Sequence, residues 1–262
     1  MSTLIHLSDL HFGPQHDAHL DEIILRDIAT LNPDAVVVSG DLTMRAREHE
    51  FDQARDFLAR IAQPLLTIPG NHDQPILTPR DWIERLTHPY ARYQTRIHAA
   101  IDSALSVKGL IILGLNDNHP IMPGGFWTRA QRRWIDAQLA RAPRDAVRII
   151  ASHHQFRWEG RWRPAGFWHA ERALEFLAAR GVEVVLNGHT HVPGAAQTPH
   201  GIVVARAGTA TSGRMRRGCG NAYNLIVIDP EQITVFARPY DEVADAFVSA
   251  RARTFPRQVS AR

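Results

Sequence analysis

Apolar residues fall into two alternating patterns along the chain: short unbroken runs, and longer stretches in which they recur every three or four positions. Thr3 to Ser8 is a short run and reads as a buried first strand. Asp17 to Asn32 then carries Leu20, Ile23, Ile24, Ile28 and Leu31 as one helical stripe, and Asn32-Pro33 ends it. Asp34 to Ser39 contains Ala-Val-Val-Val, the composition of a strand covered on both faces. Glu48 to Ala62 places Phe51, Ala54, Phe57, Leu58 and Ile61 on one helical face, and Leu65 to Ile68 is a third strand. The first third of the chain therefore reads β-α-β-α-β, the order that builds a parallel sheet.

Thr78-Pro79 starts a short helix, and the stretch from there to Val107 has no clear period. Ile111 to Leu115 is a strand, Thr128 to Gln131 is a capping box opening a helix with Trp134, Ile135 and Leu139 inward, and Val147 to Ala151 is a further strand. Phe167 to Arg180 is helical with Gly181 behind it, and Val182 to Leu186 is again a strand. Gly201 to Arg206, Tyr223 to Asp229 and Gln232 to Ala237 follow too closely for helices to fit between them, so antiparallel pairing is expected. The pattern predicts an α/β chain: two sheets packed face to face as a sandwich, helices outside, and the polar strand ends gathered at one edge. Residues 1–240 make the domain, and 241–262 a tail whose Arg251, Arg253, Arg257 and Arg262 lie on a solvated face.

At 262 residues and 44% hydrophobic, the chain suffices for one large core. No apolar stretch approaches the roughly 18 residues of a membrane span, and the start is strand-like rather than a basic-then-apolar signal, so a cytoplasmic location is expected. The lone Cys219 excludes an internal disulfide and any thiolate-rich metal site. The formal charge of +3 comes from arginine with almost no lysine and forms no dense basic tract, so nucleic acid is not required as a partner.

Chemistry concentrates where apolar runs end. Asp9-Leu10-His11, Gly40-Asp41, Gly70-Asn71-His72-Asp73, His153-His154 and Gly188-His189-Thr190-His191 each follow one. In extended backbone Asp9 and His11 point to the same side. A single histidine is more often packed or solvated than ligating, but Asp9, His11, Asp41, Asn71, His153, His189 and His191 at successive strand ends are not independent coincidences. They are too many for one metal, and a carboxylate shared between two ions roughly 3.5–4 Å apart accounts for the number. Imidazole and carboxylate ligands without thiolate suit two divalent transition-metal ions, Mn, Fe, Co or Zn.

The set resembles the calcineurin-like metallophosphoesterase superfamily, whose blocks Asp-x-His, Gly-Asp, Gly-Asn-His-Asp/Glu, His and Gly-His-x-His occur here in order, from residue 4 to about 228. The resemblance implies that Asp9, His11 and His191 hold a first metal, that Asn71, His153 and His189 hold a second, and that Asp41 bridges. It also implies a two-sheet sandwich flanked by helices, with His72 beside the scissile phosphate and off the metals. So placed, His72 is a candidate general acid or positioning donor, with Asp73 next to it to orient or charge the ring. Ala207 to Ser212 followed by Arg214 is similar to the bacterial branch that contains class III cyclic nucleotide phosphodiesterases. His153-His154-Gln155-Phe156 stands where many relatives have His-His-Pro-Pro, which leaves open whether His153 or His154 is the ligand.

The implied function is hydrolysis of a small phosphodiester, of cyclic nucleotide or glycerophosphodiester type, by hydroxide held between the ions, with Asn71, His72 and Arg214 on the substrate and Arg216 and Arg217 nearby. A nuclease or a lipid A precursor pyrophosphatase is the alternative if the loop carrying Trp158, Trp162 and Trp168 stacks bases or acyl chains. Gly-Asn-His in place of Gly-Asn-Arg weighs against the pyrophosphatase. A metal-binding partner protein without activity is the remaining class. The oligomeric state is open, a dimer included.

Overall fold

The computed structural model describes residues 1–156, 166–215, 218–249 and 252–258. Trp158, Trp162, Arg216, Arg217, Arg251 and Arg262 lie outside the described residues. Strands β1 (Ser2–Leu7), β2 (Ala35–Val38) and β3 (Leu65–Thr67) run parallel, joined by helices α1 (Ala18–Leu31) and α2 (Glu48–Leu58). Two helices, α3 (Pro79–Thr87) and α4 (Ala91–Arg96), lead to the second sheet. Its parallel core is β5 (Leu110–Leu115), β6 (Val147–Ser152), β7 (Val182–Asn187) and β9 (Val203–Arg206), edged by antiparallel β4 (Ser103–Val107) and β8 (Gly194–Gln197). Helices α5 (Arg129–Arg141) and α6 (Ala170–Ala178) connect it. The chain then returns to the first sheet, where β10 (Ala222–Ile228) lies antiparallel to β1 and β11 (Gln232–Asp241) antiparallel to β10.

Side chains alternate across the strands and so feed two layers at once. Leu4, Ala35 and Val37 face the second sheet and pack with Ile112, Ile149, Val184, Leu186 and Val203. Their neighbours Ile5, Leu7, Val36 and Val38 face outward onto Ile23, Ile24 and Ile28 of α1 and Phe51 of α2. On the far side Ile111, Leu113, Ile150 and Val185 meet Ile135 of α5 and Leu174 and Leu177 of α6. Each Val, Leu or Ile among them contributes about 1.5–3 kcal/mol by leaving water. Because both faces of these strands are covered, they read as unbroken apolar runs rather than alternating ones. The expected helix start at Thr78 forms, with Asp81 completing a capping box on α3, and the expected capping box of Thr128 with Gln131 opens α5.

Three features differ from the sequence reading. Strand β9 does not pair with β10; it runs parallel to β7, because the short β8 makes the reversal and residues 207–221 carry the chain across to the first sheet. The stretch before Val107 holds α4 and β4, and β4 turns into β5 through Lys108 (φ 41°) and Gly109 (φ 76°), the left-handed pair of a two-residue hairpin. The segment expected as a tail contributes β12 (Ala246–Phe247) and β13 (Ala252–Pro256), both antiparallel to β11. Arg257 is not solvated: it donates from Nε and Nη2 to the two oxygens of buried Glu183 at 2.7 and 3.0 Å.

Candidate metal centre

The carboxyl ends of β1, β2, β3, β6 and β7 converge on one edge, and the backbone beyond them is strained. Asp9 (φ 53°), His11 (49°), Asp41 (52°), His189 (66°) and His191 (55°) are all left-handed. That conformation costs of the order of 1 kcal/mol or more for each non-glycine residue. The extended geometry expected for Asp9 and His11 is thus replaced by a double kink. It is held across the loops by Asp9 N–H donating to the Gly40 carbonyl and His11 N–H to the Asp41 carbonyl, both at 3.0 Å.

The preceding glycines make room. A Cβ on Gly70 would lie 2.1 Å from Asp41 Oδ1, and one on Gly188 would lie 1.9 Å from Ser8 Oγ and 2.4 Å from Asp9 Oδ2. No side chain fits either position without moving these oxygens.

Two clusters result, joined by Asp41. In the first, His11 Nε2 and His191 Nε2 are 3.1 Å apart, with Asp9 Oδ1 3.2 Å from His191 Nε2 and Asp41 Oδ2 3.7 Å from His11 Nε2. In the second, Asn71 Oδ1 is 3.1 Å from His153 Nε2 and 3.0 Å from His189 Nδ1, and Asp41 Oδ1 is 3.4 Å from His153 Nε2. Backbone carbonyls fix the rings. Nδ1–H of His11 donates to Thr43 at 3.3 Å, that of His153 to Ser39 at 2.8 Å, and that of His191 to Arg214 at 2.6 Å. Each Nε2 lone pair is thereby aimed inward, the arrangement that orients metal-binding imidazoles.

Facing lone pairs and buried carboxylates repel unless a cation sits among them. Asp9 Oδ1 is buried with no hydrogen-bond donor. Burial works against charge on His153, yet the carboxylates of Asp41 and Asp9 push it up to about 10. Burial takes His11 down to about 4, and burial with the charges of His154 and His153 takes His189 down to about 3. Burial raises Asp9 and Asp41, but the surrounding imidazoles, His191 for Asp9 and His153 for Asp41, more than offset it and hold both below the usual carboxylate range. The donor set of imidazole, carboxylate and amide oxygen fits divalent transition-metal ions.

His153 Nε2 faces the clusters, whereas the Nδ1 side of His154 is turned to Asp117. His154 donates from its backbone N–H and Nδ1–H to the two oxygens of buried Asp117, at 2.9 and 3.1 Å, and Ser152 Oγ donates to the same carboxylate. His72 packs edge-on against His11, centroids 4.9 Å apart, donates from Nδ1–H to the Met44 carbonyl, and accepts at Nε2 from Arg214 Nη1 at 2.7 Å. Asp73 does not orient that ring. Its carboxylate accepts from the backbone N–H groups of Gly70, Leu42 and Thr43 and from Thr43 Oγ1, clamping the loop of Asn71 to the loop of Asp41.

A family model for calcineurin-like phosphoesterases matches residues 2–193. The chain belongs to that family. It is 31% identical over 161 residues to the glycerophosphodiester phosphodiesterase GpdQ of Enterobacter lignolyticus, covering 58% of this chain and 56% of that protein. To a probable cyclic nucleotide phosphodiesterase of Synechococcus it is 27% identical over 163 residues, covering 61% and 58%. The chain thus spans little more than half the length of these relatives. Its fold is similar to that of a dimetal phosphatase from Danio rerio, with a TM-score of 0.68 at 14% identity over 98% of this chain and 99% of the other. A purple acid phosphatase from yellow lupin gives 0.69 at 13% identity, over 97% and 53%.

What the sequence did not reveal in this calcineurin-like phosphoesterase is the supporting layer. The carbonyls of Ser39, Thr43 and Arg214 carry no side-chain signal. Asp117 was visible only as a polar residue after a strand. Among the aromatic residues, Phe156 and Phe167 stack at 4.1 Å within the core against Trp127, and half-exposed Trp168 donates its Nε1–H to the Pro123 carbonyl.

Proposed function

We propose that the chain is a phosphodiester hydrolase of small substrates that works with two divalent metal ions. One observation carries this reading: two inward-facing donor clusters share the two oxygens of a single buried carboxylate, Asp41. Asp9, His11 and His191 would hold one ion and Asn71, His153 and His189 the other. Such a pair, when bound, activates water and neutralises charge on the phosphoryl oxygens.

The chain's own groups do the rest. Arg214 reaches the phosphoryl oxygens with its guanidinium, and its backbone carbonyl keeps the His191 ring in place. In the resting arrangement His72 Nε2 accepts from Arg214, so His72 becomes a proton donor only once the substrate draws the guanidinium away. Nε2, released from Arg214, takes a proton from solvent and passes it to the leaving oxygen, Nδ1–H staying on the Met44 carbonyl. Similarity to a glycerophosphodiester phosphodiesterase and to a probable cyclic nucleotide phosphodiesterase supports a small diester as substrate. Likeness to a UDP-2,3-diacylglucosamine pyrophosphatase of Chlamydia muridarum is confined to 81 residues, 30% of this chain, and favours no second reading.

The test is a panel of diesters, monoesters, nucleic acids and nucleotide-sugar lipids with added Mn²⁺, repeated with His72→Ala. The reading expects turnover of small diesters. It also expects the variant to keep its metal and to lose about 10²- to 10⁴-fold on an alkyl diester, and clearly less on a nitrophenyl diester that needs no proton. Turnover of monoesters alone would overturn it.

A further inference from the structure

A cavity of ≈ 280 Å³ opens beside the second cluster, lined by Asn71 and His189 together with Arg85, Asn118, His119 and Met122. No Asp or Glu is among its described lining residues. Arg85 enters it from α3. Its guanidinium donates from Nε to the Pro120 carbonyl and from Nη1 to the Gln74 carbonyl, and Nη2 has no hydrogen-bond partner among the described residues. No carboxylate pairs with it there. On the next helix, α4, by contrast, Arg92 is gripped by Asp81 and Glu84 at 2.6 Å each.

A half-buried cation held by two neutral carbonyls, with the Trp82 ring centroid 5.8 Å from Cζ and no carboxylate on it among the described residues, leaves charge to be compensated, and burial already pulls the guanidinium below its ordinary pKa. His119 adds a second donor. Its Nδ1 accepts from the N–H groups of Ile121 and Met122, both at 3.2 Å, which fixes the proton on Nε2. The cavity is near the lower end of the roughly 300–1,000 Å³ of ligand pockets, room for one arm of a diester and not for a duplex.

We propose that Arg85 is a specificity-determining residue that binds a second phosphate-like anion, carried on the substrate arm lodged between the second cluster and α3. This rests on the phosphodiesterase reading only in assigning the first anion to the metal centre. The substrate class then narrows to diesters bearing an additional phosphate, which a simple cyclic nucleotide lacks. Arg85 acts on binding and takes no part in the bond-breaking step.

The test is calorimetric titration of the metal-loaded protein with alkanediol bisphosphates of increasing length and with the matching monophosphates. A charge-assisted guanidinium contact of about 1.5–3 kcal/mol predicts that one length of bisphosphate binds about 10- to 100-fold tighter than its monophosphate. Arg85→Met should erase that preference and Arg85→Lys should keep part of it, with metal content unchanged. Because Arg85 also holds two carbonyls, Met122→Glu provides an independent variant: a carboxylate placed on the cavity wall should abolish the preference while both carbonyl bonds stay. Bisphosphates of every length binding no tighter than monophosphates would overturn the proposal, as would an equal loss for both ligands in Arg85→Met. Diester hydrolysis measured on the same preparation reports separately on the phosphodiesterase reading, whose failure leaves the binding comparison standing.

Discussion

Removing the Asp73 carboxylate should loosen both halves of the metal centre without touching a ligand. Asp73 is fully buried and accepts four hydrogen bonds: from Gly70 N at 2.8 Å, Leu42 N at 3.1 Å, and Thr43 N and Oγ1 both at 2.8 Å. Asp73→Ala strands three backbone N–H groups, each costing about 1–3 kcal/mol when left without an acceptor. Part of this is returned. Burial, and then the charge of Asp41, push the Asp73 carboxyl up to about 7, so its ionised form is itself costly, and water entering the vacated space satisfies some donors. The net loss should be about 3 kcal/mol, which a domain stable by roughly 5–15 kcal/mol survives. Because Leu42 and Thr43 follow Asp41 directly, and Gly70 precedes Asn71, metal affinity should fall about 10- to 100-fold, the range for losing a group that orients ligands. Urea unfolding of the metal-free protein and calorimetric metal titration read the two effects. A variant within about 0.5 kcal/mol of the parent, with unchanged metal affinity, would refute the clamp.

Two further substitutions probe the geometry. His153→Ala should lose one ion, whereas His154→Ala should keep both, because His154 is turned to Asp117; elemental analysis of the two variants giving the reverse order would reassign the ligand. Gly188→Ala forces a Cβ to within 1.9 Å of Ser8 Oγ and 2.4 Å of Asp9 Oδ2, so it should destabilise by about 1–3 kcal/mol and deplete the first site. A thermal midpoint and metal content equal to the parent's would show that the loop has slack.

The parts of the fold that were legible in the sequence share a physical reason. Strands buried on both faces, such as Ala35–Val38 and Val182–Asn187, leave unbroken apolar runs, and ligand-type residues directly behind them mark the carboxyl edge of a sheet. Tertiary pairing left no such trace. The left-handed turns at Asp9, His11 and Asp41 are imposed by hydrogen bonds between loops distant in sequence, and β13 gains its place only by pairing with β11. His72 was legible as a candidate site residue, but its ring partners, the Met44 carbonyl and Arg214, lie 28 and 142 positions away.

Metal content measured alongside activity tests the central claim most directly. Protein stripped with chelator and reloaded with Mn²⁺ should take up two ions per chain, with diester hydrolysis appearing only as the second is bound, and Asp41→Asn should weaken both sites together because it removes the shared charge. Full hydrolysis with one ion per chain or none, or an Asp41→Asn variant that still binds two ions as tightly, would contradict the account.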